Sequence, residues 1–175
     1  TGPMSIDPHL GVPYGASFPY VTTRDQARAI WRLADALGIE RWSLVTGGSL
    51  GGMVAMEFAL ERPAQLGHLL PMAAPASLGA MAVAWNHIQA TLIERLGTDG
   101  LALARQLAMT TYRSEADFEE RFGRERQDDG RFEVVSYLEH QGNKLVDRFD
   151  PDTYRILAGA MDRHDIGRDR GRLGH

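Results

Sequence analysis

At 175 residues, 43% apolar and 24% charged, the chain is long and apolar enough for one folded core, with room for a sizeable insertion. Its net charge of −4 gives no electrostatic reason to expect nucleic acid or an anionic membrane, and the absence of cysteine excludes disulfides, a thiolate nucleophile and cysteine-ligated metals. No apolar run nears the roughly 18 residues that span a bilayer, and no basic stretch precedes an apolar one at the N-terminus, so a soluble, cytoplasmic protein is expected.

Residues 1–22 carry Pro3, Pro8, Pro13 and Pro19 among several glycines, too much punctuation for helix or strand. Thr22 or Thr23 can then cap a helix in which Ala27, Ile30, Trp31, Ala34 and Leu37 recur at helical spacing, with Gly38 as its stop. Arg41 to Thr46 reads as a strand, Leu50 to Leu60 as a helix ended by Pro63, and Gly67 to Ala74 as a second strand despite Pro71. Helix, strand, helix, strand with short links is the pattern of an α/β protein with parallel strands. From Gly79 onward no strand is expected. Ala80 to Leu96, Asp99 to Tyr112, Glu115 to Phe122, Glu133 to Phe149 and Pro151 to Met161 each show helical periodicity, and the charged stretch Gly123 to Arg131 reads as a linker. The expected organisation is a partial α/β core over 1–79 and a helical lid, with the start of a return to the core, over 80–175. The opening Thr1-Gly2-Pro3-Met4 does not read as a natural start, and Gly167 to His175 reads as a loop that has been cut. Both ends suggest a piece of something longer.

Between the first expected strand and the helix after it lies Gly47-Gly48-Ser49-Leu50-Gly51-Gly52, which satisfies Gly-x-Ser-x-Gly in the strand–turn–helix context of a nucleophile elbow. A serine on so sharp a turn needs small residues two before and two after, and Gly47 and Gly51 are expected to supply that space. The turn lifts the Ser49 hydroxyl above the sheet edge, and the backbone N–H of Leu50, at the helix N-terminus, is placed to donate to an oxyanion. The alternatives are a glycine-rich turn that binds nothing, or one that cradles a phosphate. No Lys follows the glycines, which removes a P-loop, and the register for Gly-x-Gly-x-x-Gly is poor.

A serine hydroxyl also needs a base and an orienting acid, in the order Ser, acid, His for this fold class. His68, His87, His140, His164 and His175 follow Ser49. The adjacent pair His164-Asp165 is a weak candidate, because triad members come from different loops; a partly exposed helix-end histidine is the expectation there. The triad is expected to be incomplete within these residues. Glu115, Asp117, Glu119 and Glu120 read as a solvated helix face with no His spaced to join them in a metal site, and Met53 and Met56 read as core.

Together these residues resemble the homoserine O-acetyltransferase family of α/β-hydrolase-fold acyltransferases, which serve methionine biosynthesis. The similarity runs in order through Thr1 to Pro8 with Pro13-Tyr-Gly15, Phe18-Pro19, Thr22 to Gln26, Leu37 to Glu40 and Gly47 to Met53. It continues through Tyr112-Arg-Ser114, Phe118 to Gly123, Ser136-Tyr-Leu138, Arg148-Phe-Asp150 and Ala160-Met-Asp162 with His164-Asp165. Leu50 stands where many members have Met, with little consequence for a backbone donor. The resemblance covers the middle of the family pattern: preceding strands with a second oxyanion donor, and later strands with the catalytic Asp and His, are outside it.

The resemblance implies an α/β-hydrolase core with an inserted all-helical lid, and a ping-pong reaction in which Ser49 is acylated by acetyl-CoA and passes the acyl group to the L-homoserine hydroxyl. It implies acetyl-CoA as co-substrate with no permanently bound cofactor and no metal. It also implies a homodimer through the lid, with no nucleic-acid or membrane partner. An Arg and a Tyr seven residues apart bind the amino-acid substrate in the family, and Arg105 and Tyr112 match that spacing. Seven residues is two helical turns, so both leave one face, and a guanidinium suits a carboxylate. The plainer alternative makes Arg105 a lid salt bridge and Tyr112 lid packing. Other readings are homoserine or serine succinylation by the same mechanism, an esterase of the same fold, and a non-catalytic dimerising fragment. The isolated chain is expected to be inactive.

Overall fold

The computed structural model describes residues 2–170, which form two compact units. One comprises 19–80 and 156–170, the other 2–18 and 81–155. The exit from the first at Ala80 adjoins the boundary expected at 79/80. Residues 2–18, however, cluster with the helices, and 156–170 with the sheet.

In the sheet-bearing unit, helix α1 (Thr23–Ala36) begins with a capping box. The Thr22 hydroxyl accepts from Asp25 N–H at 3.1 Å while the Asp25 carboxylate accepts from Thr22 N–H at 2.9 Å. Gly38, at φ 69°, turns the chain out of the helix. Strands β1 (Trp42–Gly48) and β2 (Leu66–Met72) run parallel, joined through α2 (Leu50–Glu61), with Trp42 opposite Leu66 and Gly48 opposite Met72. β2 stops two residues short of the expected Ala74 because Ala73 turns into the left-handed region at φ 48°.

The core of this unit is Ala27, Trp31 and Ala34 of α1 against Val54 and Phe58 of α2. Trp31 and Phe58 stack with centroids 4.0 Å apart, and the Trp31 indole N–H donates to the Phe58 carbonyl at 2.9 Å. Glu57, also on α2, is buried, and its charge is met by Arg24 at 3.1 Å and Arg170 at 2.7 Å. The chain that leaves β2 pairs with the chain that returns from the helices. Ser77 bridges Asp165 antiparallel, Leu78 N–H donates to the His164 carbonyl, and Ile166 N–H donates to the Ala76 carbonyl.

The helical unit contains, besides an N-terminal turn closed by an Ile6–Pro13 bridge, α3 (Ala80–Leu96), α4 (Thr98–Thr111), α5 (Glu115–Phe122), α6 (Glu133–Val146) and the start of α7 (Pro151–Asp162). α3 and α5 have the bounds read from periodicity. α6 ends three residues early, and Asp150 then caps α7 by accepting from Thr153 N–H at 2.8 Å. Ile93, Leu101, Ala104 and Leu145 form the core, with Val146, Phe149 and Tyr154 packed on it. Glycine lets the helices meet backbone to backbone. A Cβ on Gly100 would stand 2.1 Å from the Leu92 carbonyl oxygen, and one on Gly142 would stand 2.7 Å from that of Ala102. The expected linker folds into a turn with an Arg126–Phe132 bridge.

Candidate active site

Ser49 joins the end of β1 to the start of α2, with its backbone at φ 51° and ψ −122°, a region that non-glycine residues rarely enter. Such a conformation costs about 1–3 kcal/mol and persists only where the surroundings impose it. Here its N–H donates to the Met72 carbonyl at the end of β2 (2.9 Å), and its carbonyl accepts from Met53 N–H (3.1 Å), the first turn of α2. The hydroxyl makes no capping bond to the helix, and the residue is exposed. Leu50 packs its side chain against the Trp31–Phe58 core. As the first residue of α2, its N–H has no acceptor within the helix and stands beside Ser49.

The glycines divide the steric work differently from the expectation. A Cβ on Gly47 would lie 2.3 Å from the Gly51 carbonyl oxygen, so Gly47 is required. A Cβ on Gly51 would meet nothing within 4 Å, because it is the backbone of Gly51 that presses on Gly47 while Gly51 itself lines an apolar groove with Trp42, Leu44, Val54 and Phe58. The second crowded position is Gly52, where a Cβ would stand 2.6 Å from the Ala74 Cβ and 2.9 Å from the Gly47 carbonyl oxygen. The Met72–Ala74 turn therefore buttresses the elbow twice, by a hydrogen bond to Ser49 and by contact at Gly52. No sequence signal announced it, since it depends on the register of β1 against β2.

His164 corrects the expectation of a partly exposed histidine: it is only 2% exposed. The pairing of 76–78 with 164–166 closes the chain over it. Its Nδ1 lies 3.0 Å from the Thr23 hydroxyl, and its Nε2 is buried. Burial holds its pKa below the usual imidazole value, with nearby Glu57 opposing. It is a buried imidazole turned toward α1. His68 is exposed on β2, and among the described residues no imidazole hydrogen-bonds Ser49. His175 and the end of the glycine-rich tail, 171–175, lie outside the described residues.

In the helical unit, Arg105 lies on α4 and Tyr112 caps its C-terminus. The guanidinium carbon sits 5.4 Å from the centroid of the Tyr112 ring, a cation–π arrangement. Tyr112 is 61% exposed. Among the described residues no carboxylate lies within ion-pair distance of Arg105. Glu115, Asp117, Glu119 and Glu120 are exposed along α5, and no group of three or more His, Asp or Glu among the described residues could hold a metal ion. No described helix is long and apolar enough to cross a membrane.

A parallel β-α-β unit with a strained serine on its strand–helix turn, followed by a run of helices, is part of an α/β-hydrolase fold. A solved homoserine O-acetyltransferase from Bacillus anthracis superposes with a TM-score of 0.89 at 23% identity, covering 99% of this chain and 52% of that one. A solved esterase superposes with a TM-score of 0.84 at 24% identity over 95% of this chain and 52% of that one. Sequence narrows the class. The chain is 48% identical over 98% of its length to a homoserine O-acetyltransferase of Thermus thermophilus, of which it covers 46%. It is 43% identical over 94% of its length to a homoserine O-succinyltransferase of Alkalilimnicola ehrlichii, of which it covers 49%. No protein-family model matches. The chain is a homologue of the homoserine O-acetyltransferases and spans about half the length of the curated relatives it matches.

Proposed function

We propose that these residues belong to a homoserine O-acetyltransferase-type enzyme in which Ser49 carries the acyl group. Support comes chiefly from one observation: an exposed serine held at φ 51° beside the unbonded N–H of a helix's first residue, on the turn where a nucleophile elbow stands. The Ser49 oxygen attacks the thioester carbonyl of acetyl-CoA and yields its proton to a base, and CoA departs as the thiol. The Leu50 N–H donates to the oxyanion formed on the way. The L-homoserine hydroxyl then attacks the acyl-serine, the Oγ–acyl bond breaks, and O-acetylhomoserine leaves. Arg105, paired face-on with Tyr112 rather than with a carboxylate, is assigned to the carboxylate of the amino-acid acceptor. Acetyl-CoA is then a co-substrate, with no permanent cofactor, and the enzyme works in the cytoplasm as a homodimer through its helical half. Succinyl-CoA as donor is the second reading, favoured by the succinyltransferase relative.

Intact mass after incubation with acetyl-CoA tests this, on the chain alone and on the chain completed at both ends with the flanking segments of the Thermus thermophilus relative. The completed form should gain one acetyl group and lose it on Ser49→Ala; the chain alone should gain none. Labelling by succinyl-CoA alone would transfer the assignment to the second reading. Labelling by neither would overturn both.

A further inference from the structure

Helix α2 begins at Ser49 and Leu50, and two turns further on it carries a carboxylate that the scheme above does not use. Glu57 is 1% exposed, and besides Arg24 of α1 it meets the Arg170 guanidinium at 2.7 Å. The same Arg170 nitrogen stands 3.0 Å from the carboxylate of Glu61, one turn along α2. The other terminal nitrogen of Arg170 donates to the Ile166 carbonyl at 3.0 Å, bracing the turn on which Arg170 stands. From α1, Arg24 donates to the Arg168 carbonyl at 2.7 Å. Residues 166–170 are thus strapped across α1 and α2 by two guanidiniums, and both of these also reach the buried carboxylate.

Stability alone does not call for buried charge here, because apolar side chains of like volume hold such a junction as well or better. What the arginines add is register. Arg170 spans two carboxylates one turn apart on a single helix face, so the strap can neither slide along α2 nor roll on it without breaking a charge-assisted bond. Each carboxylate has a second guanidinium, Arg24 for Glu57 and Arg28 for Glu61 at 2.9 Å, so neither depends on Arg170 for its neutralisation. The distinctive work left to Arg170 is to tie the strap to the helix that presents Ser49. A serine nucleophile needs its base within about 3 Å, and in an α/β-hydrolase the acid and the histidine follow the nucleophile in the chain.

We infer that Arg170, seated on Glu57 and Glu61, is a positioning residue for acyl transfer: it holds the later chain, which brings the acid and the base, in register with the helix that presents Ser49. The inference rests on the acyltransferase reading. Its consequence is specific, because one base serves both half-reactions. Loss of register slows acylation of Ser49 and transfer to the acceptor alike, and leaves substrate binding alone.

The test follows both half-reactions of the completed form by rapid quench and intact mass, with acetyl-CoA and L-homoserine. Arg170→Met should slow each step about 10- to 100-fold, the effect of a base displaced by about 1 Å, with both KM values within about twofold. The count should still reach one acetyl group per chain. Arg170→Lys, which keeps a cation within reach of both carboxylates, should stay within about threefold of the parent. Arg28→Met removes an ion pair from the same α2 carboxylates without touching the strap, and should leave both rates unchanged. Unchanged rates in Arg170→Met, a loss confined to one half-reaction, a lower acetyl count at an unchanged rate, or an equal loss in Arg28→Met would each overturn the inference, while a working parent enzyme left the acyltransferase reading standing. A parent that takes no acetyl group would overturn both.

Discussion

The two units handle left-handed backbone in opposite ways. In the helical unit the described residues with positive φ are all glycines: Gly11, Gly15, Gly97, Gly123 and Gly130. The sheet-bearing unit has Gly38, but it also holds Ser49, Ala73 and Asp169 at positive φ. Wherever a turn serves only to reverse the chain, glycine adopts the conformation without a Cβ clash. At Ser49, whose side chain the turn presents, the strain stays and neighbouring residues impose it. Ser49 and Ala73 stand on the two sides of one hydrogen bond, Ser49 N–H to the Met72 carbonyl, so two of these three non-glycine residues belong to the elbow and its buttress.

The largest effect expected is at Gly47. Gly47→Ala drives a Cβ to within 2.3 Å of a carbonyl oxygen that belongs to the backbone and cannot rotate away. A loss of about 3 kcal/mol or more is expected in urea melts followed by circular dichroism. Gly51→Ala, four residues on and facing open space, should instead be neutral or gain up to about 1 kcal/mol from helix propensity. Gly100→Ala carries the comparison into the helical unit, where the 2.1 Å approach to the Leu92 carbonyl oxygen predicts a loss as large as at Gly47. Equal effects at Gly47 and Gly51 would mean that the Gly51 carbonyl does not crowd position 47.

What the sequence made legible follows from the range of the forces involved. α3 and α5 could be bounded from their own residues, because helix periodicity and caps are local: Ser114 accepts from Asp117 N–H, and Gly123 closes α5 at φ 45°. The elbow was legible for the same reason, since glycines and serine lie within six residues. The role of Gly52, the buttress at Met72–Ala74 and the burial of His164 were not legible. Each depends on a partner more than 20 residues away, chosen by strand register or by pairing of the chains that leave and re-enter the sheet unit. The Glu61–Arg170 pair, 109 residues apart, belongs to the same group.

His164 gives a smaller, pH-dependent way to sharpen the comparison. Burial lowers its folded pKa, so the unfolded chain binds a proton that the folded chain resists as pH drops through about 6.5. The contribution is fully present above that pH and is lost as pH falls toward the folded pKa, by at most about 1.4 kcal/mol per pH unit for one proton. Melts between pH 7.5 and 5.5 should show this slope, and His164→Asn, which keeps a polar atom for Thr23, should flatten it. A slope unchanged by the substitution would mean that the burial of His164 beside the paired segments 76–78 and 164–166 does not exclude protons.

The smallest effect expected compares helix starts across the two units. At α1 the Thr22 hydroxyl and the Asp25 carboxylate satisfy each other's backbone N–H, whereas at α5 the Ser114 hydroxyl makes a single 3.2 Å bond to Asp117 N–H. Thr22→Ala should therefore cost about 1–2 kcal/mol and Ser114→Ala about 0.5 kcal/mol. The two should also differ with acid. Hydrogen bonds from Thr22 hold the Asp25 carboxyl below its ordinary pKa, so this part of the cap is present above about pH 4 and lost as pH falls through the lowered value. The penalty for Thr22→Ala should shrink on going from pH 7 to pH 3 while that for Ser114→Ala stays level. If both stayed level, the α1 cap would be acting through the hydroxyl alone, and the reciprocal box would add nothing to the start of the helix on which the sheet unit packs.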